Sequence, residues 1–279
     1  MTILQRILPA LWLVAALAPP AQAGEASPWV QGHHSRVRLV AGGAEGGARL
    51  AGIEIALDPG FKTYWRTPGE SGLPPAFDWA GSGNLSKTEV LWPAPQRVED
   101  AGGIAYVYKD RLLLPVRALP QDPGKPVRLA LKLDYGVCKD ICIPAQANLV
   151  LDLVGGETSH RPAVEAALAQ VPKPQVLGAP GDLSVLALKP AATINGKPAL
   201  AVSVRAPAGA DLFVEGPDNW YLGAGPMQAG PDAGSGRFLV DIFERPKDAA
   251  GRLDLRFTLV AGGRAVETAA SLDTASLPR

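Results

Sequence analysis

Apolar and polar residues alternate with a period of two through most of the chain, which is the pattern of strands that bury one face. Stretches of this kind occupy Arg36–Val40, Arg49–Leu57, Lys62–Arg66, Thr88–Trp92, Tyr106–Tyr108, Arg111–Ala118, Val127–Tyr135 and Ala147–Leu153. Turn-forming residues separate them: the run from Gly42 to Gly47, Asp58-Pro59-Gly60, Gly81-Ser82-Gly83-Asn84 and Gln121-Asp122-Pro123-Gly124. Short strands at this density, over about 125 residues, predict an immunoglobulin-like β-sandwich.

A helical period occurs once, at Arg161–Gln170, with Ser159 placed to cap it and Pro162 in its first turn. Pro172 and Pro174 end it, and Pro172-Lys173-Pro174 reads as a linker. Strand signals then resume at Leu183–Leu188, Ala199–Arg205, Asp211–Val214, Arg237–Phe243, Leu253–Val260 and Ala265–Ala270. The expected organisation is all-β: a sandwich over 24–155, a helix and linker over 156–180, and a second, smaller sandwich over 181–279.

Composition narrows the function. Glycine (31) and proline (27) make up about a fifth of the 279 residues, too much for a helical bundle. Lys+Arg and Asp+Glu balance at 27 each, so there is no basic field for nucleic acid. Residues 1–23 read as a cleavable secretory leader. Arg6 supplies the positive start, Ile7–Ala18 the apolar stretch, and Ala21-Gln22-Ala23 the small-residue cleavage pattern before Gly24. Twelve residues of helix span about 18 Å, short of a bilayer core of about 30 Å, which argues against an anchor. The expected location is therefore the periplasm, as a soluble protein.

Export makes the two cysteines, Cys138 and Cys142, informative. They sit between strands whose apolar residues are all odd-numbered: Val127, Leu129, Leu131, Leu133 and Tyr135 before them, Ala147, Leu149, Leu151 and Leu153 after. A hairpin with Cys138 opposite Cys142 sets Leu133 against Ala147, Leu131 against Leu149, Leu129 against Leu151 and Val127 against Leu153. It also sets Arg128 against Asp152, an opposite-charge pair. A slip of one residue would lose every one of these matches. This register puts both cysteines at the hairpin tip, on the even-numbered face away from the core. Three uses of the pair stay open at this point: a redox tool, a structural staple, and a thiolate site for a soft metal such as Cu(I). A loop this small adds only about 2 kcal/mol as a staple, and an exposed pair exchanges readily, so the redox use leads.

The segment around the pair resembles the N-terminal periplasmic domain of the DsbD and ScsB thiol–disulfide interchange proteins. The matching residues are Tyr106-Val107-Tyr108-Lys109-Asp110-Arg111-Leu112-Leu113-Leu114-Pro115, then Tyr135-Gly136-Val137-Cys138 through Cys142-Ile143-Pro144, with Gly60-Phe61-Lys62-Thr63-Tyr64 a weaker match upstream. The resemblance covers roughly residues 29–154. It implies an immunoglobulin-like domain whose cysteine pair relays reducing equivalents between thioredoxin-like or transmembrane partners and periplasmic clients. It implies that Cys142 enters the mixed disulfide and that Cys138 resolves it. It also implies a shielding cap loop at Val98-Glu99-Asp100-Ala101-Gly102-Gly103, with Glu99 and Asp100 at the family's acidic positions and Ala101 and Gly102 where its aromatics stand. Cytochrome c biogenesis and copper tolerance are the processes it suggests. The chain has no membrane domain after the sandwich regions, so a separate transmembrane thiol–disulfide transporter is expected as partner.

Tyr64, Tyr106 and Tyr108 are candidates to wall the site, beside Glu99 and Asp100. Lys139 would favour a thiolate and Asp140 would oppose it. No cofactor or metal site is expected. His33 and His34 are adjacent and diverge on a strand, and Gly69-Glu70-Ser71-Gly72 lacks the spacing of a nucleophile elbow. The competing expectation is a non-catalytic binding module with a structural disulfide.

Overall fold

The computed structural model describes residues 24–100, 103–192 and 198–278. The expected leader at 1–23 and the cap-loop residues Ala101 and Gly102 lie outside the described residues. The chain folds into two β-sandwiches, and the single α-helix among the described residues packs on the first. The first sandwich uses β1 (Val30–Gly32), β2 (Ser35–Glu45), β3 (Ala48–Leu57), β4 (Lys62–Gly69), β5 (Ala76–Asp78), β6 (Leu85–Val90), β7 (Gln96–Asp100), β8 (Gly103–Lys109), β9 (Arg111–Pro120), β10 (Val127–Cys138) and β11 (Cys142–Leu153). One of its sheets runs β1-β2-β3-β9-β6. The other runs β11-β10-β4-β8-β7, with β5 paired to β10.

Helix α1 (Arg161–Ala169) leads to the second sandwich: β12 (Lys173–Gln175), β13 (Ser184–Ala192), β14 (Pro198–Arg205), β15 (Asp211–Glu215), β16 (Tyr221–Ala224), β17 (Gln228–Ala229), β18 (Ser235–Glu244), β19 (Arg252–Ala261) and β20 (Arg264–Asp273). Its sheets run β12-β20-β19-β15 and β13-β14-β18-β16, with β17 paired to β18. No helix among the described residues is long and apolar enough to cross a membrane.

The period-two reading accounts for the first core. Val37, Leu39, Ile53, Ile55, Leu114, Leu129, Leu131 and Leu149 all point into it and are buried. The opposite face of β2 and β3 is covered by α1, where Val164 packs on Val40 and Leu50. Gly42 permits that approach, since a Cβ there would lie 2.9 Å from a Val164 methyl.

Three local expectations are corrected. The glycines at 42–47 do not form one long turn. Strand β2 continues through them with a bulge between Ala41 and Gly43, and only Gly46 and Gly47 turn. Ser159 does not cap α1. His160 occupies that position without a side-chain bond, while the Ser159 backbone N–H and hydroxyl both donate to Glu25. The Pro172–Pro174 segment is not a free linker, because Lys173–Gln175 pairs in parallel with β20.

The two sandwiches share packing. Phe213 of β15 inserts into the first core, with its ring 4.8 Å from that of Tyr106 and 5.8 Å from that of Trp65. Beside it Arg66 binds Glu215 through two nitrogens (2.8 and 2.6 Å) and also reaches Glu267 at 2.5 Å. Burial opposes the charge on Arg66, but its bonds to Glu215 and Glu267 outweigh that and raise its pKa. Thr67 adds a hydroxyl bond to Glu215 at 3.0 Å.

Candidate functional site: the cysteine hairpin

Strands β10 and β11 pair in the register read from the sequence, from Val127↔Leu153 through Leu133↔Ala147 to Cys138↔Cys142. Arg128 and Asp152 form the expected pair, 3.4 Å apart at the surface. The two cysteines are bonded, with Sγ atoms 2.02 Å apart.

The two sulfurs are not equally placed, which corrects the expectation of an exposed pair. Cys142 is exposed, whereas Cys138 is only 1% exposed. The even-numbered face of β10 faces solvent along most of its length but not at the tip. There Cys138 pairs with Lys62 of β4, and Tyr64 of β4 pairs in turn with Val107 of β8. Residues paired across strands share a face, so Cys138, Tyr64, Ala105 and Val107 form a small apolar cluster, with Val98 packed against it.

Tyr64 is the expected site tyrosine that reaches the sulfurs. Its Oη lies 3.0 Å from Cys142 Sγ, and a bonded sulfur carries no proton, so the hydroxyl donates. Two glycines make room for the ring. A Cβ at Gly72 would sit 2.3 Å from the ring, and one at Gly136 would sit 3.2 Å from it and 2.7 Å from Leu73 Cβ. Gly72 also has a φ of +134°, a conformation other residues rarely adopt. Thr63, the neighbour of Tyr64, donates to the Gly136 carbonyl at 2.8 Å and ties β4 to the hairpin.

Tyr106 and Tyr108 do not wall the pair. They lie on the other face of β8 and belong to the main core. Burial pushes the Tyr106 hydroxyl up to about 12 and that of Tyr108 well above its ordinary value, so both stay protonated. Tyr108 donates to the Pro93 carbonyl at 2.6 Å. The β8 residues that do reach the cluster are the smaller ones that alternate with the tyrosines, Ala105 and Val107. The sequence signal for them was the phase of the strand, in which one face carries the rings and the other meets the sulfurs.

The segment expected as a cap loop is mostly strand. Val98, Glu99 and Asp100 belong to β7, which pairs with β8 through Val98↔Ala105, Glu99↔Ile104 and Asp100↔Gly103. That register sets Val98 on the sulfur side and the exposed Glu99 in line with Ile104 on the other.

At the tip, Lys139, Asp140 and Ile141 are exposed, Ile141 by 77%. The Lys139 ammonium sits 5.9 Å over the Phe61 ring, and His34 stacks on that ring at 4.0 Å. His34 also meets Asp58 at 2.9 Å. The two histidines lie in the turn between β1 and β2 rather than on a strand.

The comparisons agree with this geometry. The family described as "Thiol:disulfide interchange protein DsbD, N-terminal" matches residues 34–154. Among solved structures, the N-terminal periplasmic domain of ScsB from Proteus mirabilis superposes with a TM-score of 0.70 at 23% identity, over 89% of this chain and 98% of that one. A conserved domain protein from Bacillus anthracis aligns at a TM-score of 0.20 and 10% identity, too poorly to bear on the fold. No curated protein matches the sequence. The family match and the bonded pair support a role in thiol–disulfide interchange. Residues 34–154 of the chain thus carry a domain of the DsbD N-terminal type.

Proposed function

We propose that the protein is a periplasmic thiol–disulfide oxidoreductase that relays reducing equivalents between a thioredoxin-like or membrane-embedded donor and periplasmic clients. One observation carries this reading: a single disulfide that joins an exposed cysteine to a buried one. Exchange needs a thiolate to approach along the S–S axis. Only Cys142 offers that approach.

A partner thiolate attacks Cys142 Sγ. A mixed disulfide forms, the Cys138–Cys142 bond breaks, and Cys138 leaves as a thiolate. A second partner thiolate then attacks the partner's sulfur in the mixed disulfide. The partner leaves as a disulfide and the pair gains its two electrons. Delivery to a client runs the same steps in reverse, with Cys142 attacking and Cys138 resolving. Tyr64 holds a hydroxyl at the reacting sulfur, and the apolar cluster keeps water and stray thiols from Cys138. Val98 of β7, packed against that cluster, adds to the shielding.

Trapping tests the reading. Cys138→Ser should accumulate mixed disulfides with thioredoxin-like partners through Cys142, and Cys142→Ser should accumulate none. A wild-type pair that transfers no electrons, or one whose potential lies below about −300 mV as in structural disulfides, overturns it in favour of a staple.

A further inference from the structure

Beside the exposed sulfur a cleft of about 750 Å³ opens along the hairpin. Its walls include Leu73, Pro74, His33, and Pro144 and Gln146 of β11. The pleat of β11 puts Cys142, Pro144 and Gln146 on one face, and all three are exposed. At about 3.3 Å per residue, Pro144 lies about 7 Å and Gln146 about 13 Å along the strand from Cys142. The face that presents the sulfur therefore continues into the cleft. Leu73, 38% exposed, rests against Gly136, the cross-strand partner of Pro144. The lining near the sulfur is apolar and uncharged, and the first charged wall residue, Asp134, already accepts a bond from Gln146 at 2.6 Å.

The geometry points to a binding site for an extended, apolar polypeptide segment next to the reacting cysteine of a partner protein. The inference rests on the relay reading and adds the feature by which the site selects what it exchanges with. A chain joined to Cys142 through its own sulfur has its flanking residues within a few ångströms of Pro144 and Leu73, and a volume of this size is typical of built binding sites. Ile141, exposed on the tip side of the same sulfur, extends the apolar contact in the other direction.

The test uses the oxidised full chain and two short synthetic peptides, each with one cysteine. In one the cysteine is flanked by leucine and valine, and in the other by glutamate and lysine. Mass spectrometry reads the rate of mixed-disulfide formation at Cys142. The apolar peptide should react about tenfold faster, the effect of burying one leucine-sized side chain. Gln146→Trp, which fills the cleft from an exposed position, should bring the two rates together. Gln146→Lys, a smaller change, should speed the reaction of a third peptide, flanked by glutamates alone, relative to the other two. Equal rates for the two peptides on the wild-type protein, or a preference untouched by both variants, overturn the cleft while leaving the relay intact. If neither peptide reacts at Cys142 and no protein partner exchanges either, the relay reading falls and the cleft with it.

Discussion

Tyr64 and Trp65 are neighbours on β4 and serve opposite ends of the first sandwich. The Tyr64 hydroxyl lies 3.0 Å from Cys142 Sγ, while the Trp65 ring lies 5.8 Å from Phe213 of the second sandwich. One strand thus supports the sulfurs on one face and the junction between sandwiches on the other, and Arg66 follows with its bonds to Glu215 and Glu267.

Phe213 should matter to the stability of both halves. Phe213→Ala removes a ring that is 1% exposed, and cavities of this kind cost about 3–5 kcal/mol. Denaturant unfolding followed separately by tryptophan fluorescence and by backbone circular dichroism should show one transition in the wild type. The variant should have an earlier midpoint. Unchanged stability would mean that the junction contributes nothing.

Removal of the Tyr64 hydroxyl should act on exchange and not on folding. Tyr64→Phe keeps the ring between Gly72 and Gly136 and deletes the donor at Cys142. In the reduced protein that donor stabilises a Cys142 thiolate, and hydrogen bonds to charged groups contribute about 1.5–3 kcal/mol. Attack of the reduced variant on an oxidised partner should slow by about tenfold, with the unfolding midpoint unchanged.

Gly136 should tolerate no side chain. Gly136→Ala drives a methyl into Leu73 and the Tyr64 ring at once. Overpacking of this kind costs about 1–3 kcal/mol. Loss of stability should come with altered exchange, because the Tyr64 hydroxyl moves with its ring. A variant that exchanges normally would show that the position of the hydroxyl is unimportant.

The docking of α1 should weaken in mild acid. Burial first, then the nearby Arg38 and Arg111 charges, hold the His160 imidazole below its ordinary 6.5, against the opposing pull of Glu25. A histidine with a depressed pKa contributes stability above its unfolded value that is lost as the pH falls through its folded one. The positive end of α1 disfavours the imidazolium in the same sense. Thermal unfolding should therefore show a midpoint that drops between pH 7 and pH 5, and His160→Gln should flatten that part of the curve. The change belongs to the pH window just below 6.5.

Much of the hairpin was legible in the sequence, because the apolar residues of β10 and β11 share one parity and only one register matches them. The enclosure of Cys138 was not legible. It depends on β4 and β8 lying beside the tip in the same sheet, and these strands join the hairpin from positions distant in the chain. The tyrosines of β8 misled for a related reason. Tyr64 and Tyr106 look alike in a strand pattern, but pairing of Tyr64 with Val107 rather than with a tyrosine sends the β8 rings to the opposite face. The short strands β1, β5, β12 and β17 carry too few residues to show any period. Phe213 reads as an ordinary core residue of its own sandwich, and nothing local marks that it fills its neighbour's core.

The placement of Phe213 also separates kinship from folding. The family match ends at residue 154, yet a ring from residue 213 plugs the interior of the matched part. A fragment cut at that point would leave Trp65 and Tyr106 beside an unfilled gap. The stretch that carries the family match is thus smaller than the unit that can be lifted out whole.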